Sequence, residues 1–235
     1  KRQILICLSL LFETLGFNFR RIGKIKGYPS LGYSIHVQFA TISRLGIFIG
    51  FPLIGFLVDT SSELNSLIIV PLLSYLALFM ILIFFLIFIK KLDNLFYILF
   101  NFMLKISRVK ISGQVHDVAE IKDNILPINK IRILAVGSFS FLFQSIGIFI
   151  VSICAFLFPE YKATILLMSP SITAIGTLIS VIFFDPYISE EIDNKAEPIE
   201  VISYVYLARL ISSFVAAMIF SICLLYTSPS PRDRN

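Results

Sequence analysis

Six long apolar stretches constrain this chain more than any other feature of its sequence. They cover residues 4–19, 31–58, 67–89, 133–158, 163–184 and 201–225. A helix needs about 20 apolar residues to cross the hydrocarbon core of a bilayer, and only the first stretch is shorter than that. Charged residues make up only 15% of the chain, too few to cover a water-exposed surface. The sequence therefore predicts an all-α, polytopic integral membrane protein with about six transmembrane helices.

Both ends of the chain have unusual features. Residue 1 is lysine rather than methionine and the first stretch is short, so we expect N-terminal residues to be missing. Residues 224–235 resemble translated sequencing-adapter DNA, and we expect this tail to be non-native. A genuine tail rich in serine and proline is the alternative. Residues 1–223 are then expected to form one multi-span membrane domain.

Two segments depart from the simple pattern of spans and short connections. Gly46, Gly50 and Pro52 interrupt the second stretch, which predicts a kinked or partly unwound helix. Residues 90–132 form the longest polar segment and are expected to be cytoplasmic or interfacial. Within it, residues 95–111 combine an apolar run with a basic end. This pattern indicates either a helix lying on anionic headgroups or a solvated connector.

The basic residues are unevenly distributed between the two sides of the membrane. If residue 1 lies outside, the connecting segments 20–30, 90–132 and 185–200 lie inside. These segments carry most of the lysines and arginines that lie outside the spans, whereas the outer segments carry few. Cytoplasmic loops are enriched in Lys and Arg, so the sequence predicts this orientation.

Three charged residues lie inside predicted spans: Glu13, Arg44 and Arg209. Each charge costs roughly 2.5–3.5 kcal/mol near the middle of the membrane on insertion scales. Glu13 and Arg44 could form a neutralising bridge, or they could line a wet cavity for an anionic substrate. Arg209 lies eight residues after Val201, so it could also extend to the inner surface.

Polar and small residues recur at helical spacing in the fourth and fifth stretches. The stripes consist of Gly137, Ser140, Gln144 and Gly147, and of Ser169, Thr173, Gly176, Thr177 and Ser180. Such residues favour close packing of helices, and a cavity wall is the alternative.

Nothing in the sequence points to enzyme chemistry or to a bound cofactor. The three cysteines lie in apolar stretches, and their spacing fits neither a disulfide framework nor a metal site. The common nucleotide, hydrolase and zinc-enzyme motifs are absent from the sequence. We expect no catalytic residue, no cofactor, no metal and no nucleic-acid partner.

Several short motifs occur in a particular order along the chain. They are Glu13-Thr14-Leu15 with Arg20 after it, Ser43-Arg44, Pro52-Leu53-Ile54-Gly55 running to Asp59, Pro159-Glu160-Tyr161-Lys162-Ala163-Thr164, and Asp185-Pro186 with Asp193 downstream. In this order they resemble the Amj family of lipid II flippases. The match covers most of the chain, from about residue 8 to about residue 215. Arg21, a second basic residue after Arg20, and the Phe-rich spans are particular to this chain.

The resemblance implies movement of the undecaprenyl-pyrophosphate-linked disaccharide-pentapeptide, lipid II, across the bacterial cytoplasmic membrane. This activity would supply peptidoglycan synthesis and maintain cell shape, with lipid II and membrane lipids as partners. The implied substrate path comprises Glu13, Arg20, Arg21, Arg44, Asp59 and Arg209. The basic residues at positions 20, 21, 24 and 26 would bind the anionic head at the inner side, and Arg44 would receive it. The positive-inside rule alone also explains such basic residues.

Two other functions fit the same residues. One is secondary transport of a small anion or drug, for which buried charges would also serve. The other is a membrane assembly factor that transports nothing.

Overall fold

Helices are the only regular secondary structure in the computed structural model, which describes residues 4–60, 64–106, 129–194 and 198–227. The helices are α1 (Ile4–Ile25), α2 (Pro29–Thr60), α3 (Leu64–Ile106), α4 (Lys130–Leu157), α5 (Lys162–Leu167), α6 (Ser169–Ile179), α7 (Asp185–Asp193) and α8 (Ile199–Thr227). A 3₁₀ turn at Pro159–Tyr161 precedes α5, and a π-helical turn at Ser180–Phe184 joins α6 to α7. The all-α prediction is confirmed.

Five helical segments are long and apolar enough to cross a membrane. They are Pro29–Thr60, Leu67–Lys105, Lys130–Leu157, Pro159–Asp193 and Ile199–Tyr226. They identify the chain as a multi-pass membrane protein and correspond to five of the predicted spans. The remaining predicted span, residues 4–19, lies in α1, which is helical but is not one of the five. Its Glu13, Arg20, Arg21 and Lys24 make α1 too highly charged to resemble a lipid-embedded helix.

The outer surfaces of the bundle carry large apolar side chains. Phe48 on α2, Ile87 on α3 and Met218 on α8 are among those that are exposed. In a bilayer these side chains contact lipid, and each helix satisfies its own backbone hydrogen bonds. The apolar exterior therefore agrees with a membrane environment.

α1 occupies the inside of the bundle, in contact with α2, α3, α7 and α8. A tight turn at Gly27, whose φ is +75°, reverses the chain into α2. Just before the turn, a Cβ on Gly23 would lie 2.5 Å from the Cα of Gly32. Because glycine at both positions lets the two backbones touch, α1 and α2 pack closely at this end of the hairpin.

The other helices pack around this hairpin. α3 packs against α8, and α4 packs against both α6 and α8. Aromatic side chains contact one another at the centre of the bundle. The centre of the Phe184 ring lies 5.3 Å from that of Phe141 and 5.9 Å from that of Phe17. This arrangement brings α1, α2, α4 and α6 together around the middle of the bundle.

α3 is much longer than a membrane requires. Its 43 residues extend for about 64 Å, whereas the hydrocarbon core is about 30 Å thick. Near its C-terminal end, Phe96 and Phe100 pack in a small buried cluster with Phe19 and Ile22 of α1. Residues 90–106 thus continue the helix of the third span, and α1 covers their apolar face. Their cytoplasmic or interfacial location stays a prediction. Residues 107–128 lie outside the described residues.

α2 differs in part from its prediction. It stays helical through Gly46, Gly50 and Pro52, so the prediction of partial unwinding is wrong, whereas the kink stays a prediction. Helical backbone is strongly favoured in lipid because an unpaired carbonyl has no water to bond. The fifth span is the one that is divided, by a turn at Met168 and by the π-helical turn before α7.

The predicted tail begins inside a helix. α8 continues to Thr227, and Leu224 packs against the core. Residues 228–235 lie outside the described residues, so the non-native origin of the tail stays a prediction.

Candidate functional site

A partly open cavity of about 280 Å³ lies between α1, α2, α4 and α6. Its polar lining consists of Glu13, Ser43, Arg44, Gln144, Thr173 and Thr177. Two of the three charged residues predicted within spans thus reach one cavity. The third, Arg209, lies directly behind it.

Arg44 is the unpaired charge of this cavity. It lies about 22 Å along the axis of α2 from Pro29, at the middle of the helix. Its side chain is exposed and makes no ion pair or hydrogen bond with any residue that the structure describes. Intramembrane charges usually pair with protein groups or face a functional cavity. The absence of a protein partner makes Arg44 the strongest candidate for contact with a ligand.

Glu13 pairs with Arg209 and not with Arg44. Its Oε2 accepts a hydrogen bond of 2.9 Å from Nη2 of Arg209, which also donates to the carbonyl of Leu10 at 3.2 Å. The side chain of Arg209 is 0% exposed. Extension of this side chain to the inner surface is therefore contradicted, because the carboxylate on α1 draws the guanidinium into the bundle.

The environment of Arg209 is apolar apart from these contacts. Its guanidinium carbon lies 4.4 Å from the centre of the Phe141 ring. Its Nε and Nη1 have no acceptor among the described residues. A desolvated cation–π contact contributes about 2 kcal/mol, which offsets only part of the cost of burying these donors. Glu13 is therefore the group that neutralises Arg209.

The stripe on α4 packs closely against neighbouring helices, as predicted. A Cβ on Gly147 would lie 2.8 Å from the side chain of Ile172. The hydroxyl of Ser140 donates to the carbonyl of Gly176 at 2.8 Å. Packing is thus the main role of these small residues, and Gln144 is the member that reaches the cavity.

Part of the stripe on α6 forms the cavity wall. The hydroxyl of Thr173 donates to the carbonyl of Ser169 at 2.9 Å, and that of Thr177 donates to Thr173 at 3.2 Å. Since these protons point into the helix, the oxygens can accept hydrogen bonds from a ligand. Oε1 of Gln144 is also buried without a donor among the described residues. Within the part of the chain that the structure describes, the cavity thus combines one free cation with several acceptors.

Most of the basic residues near the α1–α2 turn are engaged within the protein. Arg21 forms an ion pair with Asp93 on α3. Lys24 donates to the carbonyl of Asp193 at the end of α7, at 2.6 Å. Lys26 donates to an amide side chain of α3. These three residues connect α1 to its neighbours, so they do not form the open basic surface that the resemblance implies.

Arg20 has a different environment. It is 4% exposed, and its Nη1 lies 3.6 Å from a carboxylate oxygen of Asp185. Its guanidinium carbon lies 4.6 Å from the centre of the Tyr33 ring. Nε and Nη2 have no acceptor among the described residues. Arg20 is therefore only partly neutralised.

Asp59 lies apart from the other candidates. It forms an ion pair with Lys162 at the start of α5, and its side chain is 62% exposed. It does not line the cavity that contains Arg44. A role for Asp59 in a substrate path stays a prediction.

Two buried polar groups beside the site were not predicted from the sequence. His36 is buried on α2, with its ring 4.3 Å from that of Phe17. It lies eight residues before Arg44, on the same face of the helix, and this spacing could have identified it. Asn18 donates to the hydroxyl of Tyr206 at 2.6 Å and so ties α1 to α8.

Among the described residues, no group of three or more His, Cys, Asp or Glu side chains could hold a metal ion. No family model, curated protein or solved structure matches the chain. The resemblance to the Amj family therefore stays a prediction.

Proposed function

We propose that this protein is a lipid II flippase of the bacterial cytoplasmic membrane. It would move the undecaprenyl-pyrophosphate-linked disaccharide-pentapeptide to the outer leaflet, where the precursor supplies peptidoglycan synthesis and cell shape. The observation that carries the proposal is the position of Arg44. Its guanidinium lies at the middle of an apolar helix, lines a cavity and has no partner among the described residues.

The chemistry of such a substrate matches this position. A polyprenyl tail can remain in lipid, whereas a pyrophosphate and its sugars cannot cross about 30 Å of hydrocarbon without help. The planar guanidinium group donates two parallel hydrogen bonds to phosphate oxygens. Since Arg44 makes no protein contact of this kind among the described residues, all its donors are available for a ligand.

The charge balance of the cavity supports an anionic ligand. Glu13 and Arg209 neutralise each other at 2.9 Å, so Arg44 leaves one uncompensated positive charge. Had Glu13 paired with Arg44, the cavity itself would carry no net charge. An anionic head can therefore enter without displacing an existing ion pair.

The cavity volume favours a second candidate, the secondary transport of a small anion. A volume of about 280 Å³ lies at the lower end of the range for ligand pockets. It suits a pyrophosphate group better than a complete disaccharide-pentapeptide. For lipid II, the sugars and peptide must occupy space beyond the cavity, through its open side.

Replacement of Arg44 tests the proposal. Arg44→Ala should fold normally but fail to support growth in cells depleted of other lipid II flippases. Loss of charge-assisted hydrogen bonds should lower surface exposure of lipid II by about tenfold or more. Arg44→Lys should restore only part of the activity, because an ammonium group lacks the planar fork. Arg132→Ala removes an exposed positive charge outside the cavity and should leave growth unchanged.

Transport by purified protein separates the two candidates. Vesicles containing the protein should expose labelled lipid II, and Arg44→Ala vesicles should not. Wild-type exposure of lipid II by Arg44→Ala would overturn the proposed role of this residue. Transport of small anions that depends on Arg44, without any movement of lipid II, would establish the second candidate instead.

A further inference from the structure

A second cavity lies near the turn between α1 and α2. Its volume is about 390 Å³, and its lining includes Arg20, Ser30, Tyr33, Ser189 and Asp193. Arg20 is about 10 Å further along α1 than Glu13. The two cavities have no lining residue in common, so they are separate sites.

Arg20 lines this second cavity and has unused hydrogen-bond donors. Its side chain is almost completely buried, yet neither Nε nor Nη2 has an acceptor among the described residues. A buried donor without an acceptor costs about 1–3 kcal/mol, and more when the group is charged. Since both nitrogens are themselves buried, an oxygen-rich anion in the cavity would satisfy them after the side chain turns toward it.

The beginning of α2 adds positive potential from the backbone. Pro29 is the first residue of this 32-residue helix, and Ser30, which lines the cavity, is the second. The first N–H groups of a helix have no acceptor within it, and the helix dipole favours an anion there. The close approach of Gly23 to Gly32 fixes this helix end beside Arg20.

Two carboxylates weaken the positive potential. A carboxylate oxygen of Asp185 lies 3.6 Å from Nη1 of Arg20 and partly neutralises the guanidinium. Asp193 lines the cavity and is exposed, so it would repel an anion. The cavity is therefore built to accept an anion with moderate affinity, and the charge of Asp193 should limit that affinity.

We propose that this second cavity binds a phosphate group, as a pyrophosphate or a phosphate ester. The guanidinium of Arg20, the first turn of α2 and the hydroxyl of Ser30 would bind its oxygens. The inference deepens the proposed function and rests on it in one respect: lipid II would contact this site before Arg44. Phosphate binding itself does not depend on transport.

Binding measurements on the full chain in phosphatidylcholine nanodiscs test the proposal. Inorganic pyrophosphate is titrated by calorimetry, and undecaprenyl phosphate placed in the nanodisc is counted by native mass spectrometry. Ser30→Asp should weaken binding by about fivefold or more, because it places a negative charge at the helix end. Asp193→Asn should strengthen binding by about two- to fivefold, because it removes repulsion.

Two matched variants control for general electrostatics. Ser34→Asp introduces the same charge one turn later on α2, and Glu190→Gln removes a negative charge from α7. Both residues are exposed, and neither lines the second cavity. Neither variant should change binding by more than about twofold, since exposed charges are strongly screened. Arg44→Ala should respond to Ser30→Asp and Asp193→Asn as the wild type does.

The results distinguish the source of the phosphate. Binding of both ligands with this variant pattern supports a site open to soluble and lipid-linked phosphates. The same pattern with undecaprenyl phosphate alone supports a site for lipid headgroups. Binding of neither ligand, or equal weakening by Ser30→Asp and Ser34→Asp, overturns the proposal. A chain that binds phosphate here but moves no lipid II would contradict only the proposed function.

Discussion

The middle and the C-terminal end of α1 use charge in opposite ways. Around Glu13, an ion pair with Arg209 leaves the neighbouring Arg44 without a protein partner among the described residues. Around the α1–α2 turn, Arg21 and Lys24 both bind groups on other helices. The region richest in basic residues therefore has little free charge, whereas a region with few charges has one uncompensated cation. In this protein, unused donors, as at Arg44 and Arg20, are a better guide to an anion site than the density of basic residues.

The comparison predicts different consequences for substitutions in the two regions. Ion pairs that connect helices should affect stability first, and function only through folding. Arg44 connects nothing among the described residues, so its loss should affect transport alone. Variants of each ion pair test whether its loss affects stability or transport.

The largest effect is expected at Glu13. Glu13→Gln leaves the guanidinium of Arg209 buried without a counter-charge, which should lower the free energy of unfolding by about 3 kcal/mol. Denaturation of the purified protein in mixed micelles measures this change. Adding Arg209→Met should restore most of the stability, because the buried charge is then removed. A stable single variant would show that Arg209 has another counter-charge.

An intermediate effect is expected at the C-terminal end of α1. Asp93→Asn removes the carboxylate that pairs with Arg21 and should cost about 2 kcal/mol, less than at Glu13 because Asp93 is 21% exposed. The same denaturation assay applies. The double variant Arg21→Met/Asp93→Asn should recover stability and retain phosphate binding at the second cavity. Loss of that binding in the stable double variant would assign Arg21 a direct role.

The smallest effect is expected for the exposed ion pair between α2 and α5. Asp59→Asn should change the free energy of unfolding by less than about 0.5 kcal/mol, since exposed pairs contribute little. It should also leave lipid II exposure unchanged if Asp59 lies outside the substrate path. Reduced transport with unchanged stability would return Asp59 to that path.

The positions of the spans were predictable from the sequence because lipid imposes a strong length requirement. α4 begins at Lys130 and ends at Leu157, close to the predicted residues 133–158. The continuation of α3 beyond residue 89 was not predictable in this way. Its apolar residues Phe96 and Phe100 contact α1, and such a contact has no signature in local hydropathy.

The identity of the charged residues was predictable, but their pairing was not. Glu13, Arg44 and Arg209 were recognised because charge is rare in apolar stretches. Which arginine neutralises Glu13 depends on the packing of α8 against α1, and the two residues are 196 positions apart. A single sequence has no information on such a distance, so the free cation could be found only in the structure.

The ion pairs of α1 also have a consequence for biosynthesis. The ribosome makes α1 before the other described helices, yet the partners of its charged residues are made later. Asp93 is on α3, Asp185 on α7 and Arg209 on α8. Until those helices emerge, each charge of α1 would enter the bilayer uncompensated. We expect α1 to complete its integration only after α8 has left the ribosome, so that α1, although made before the other described helices, is the last of them to settle.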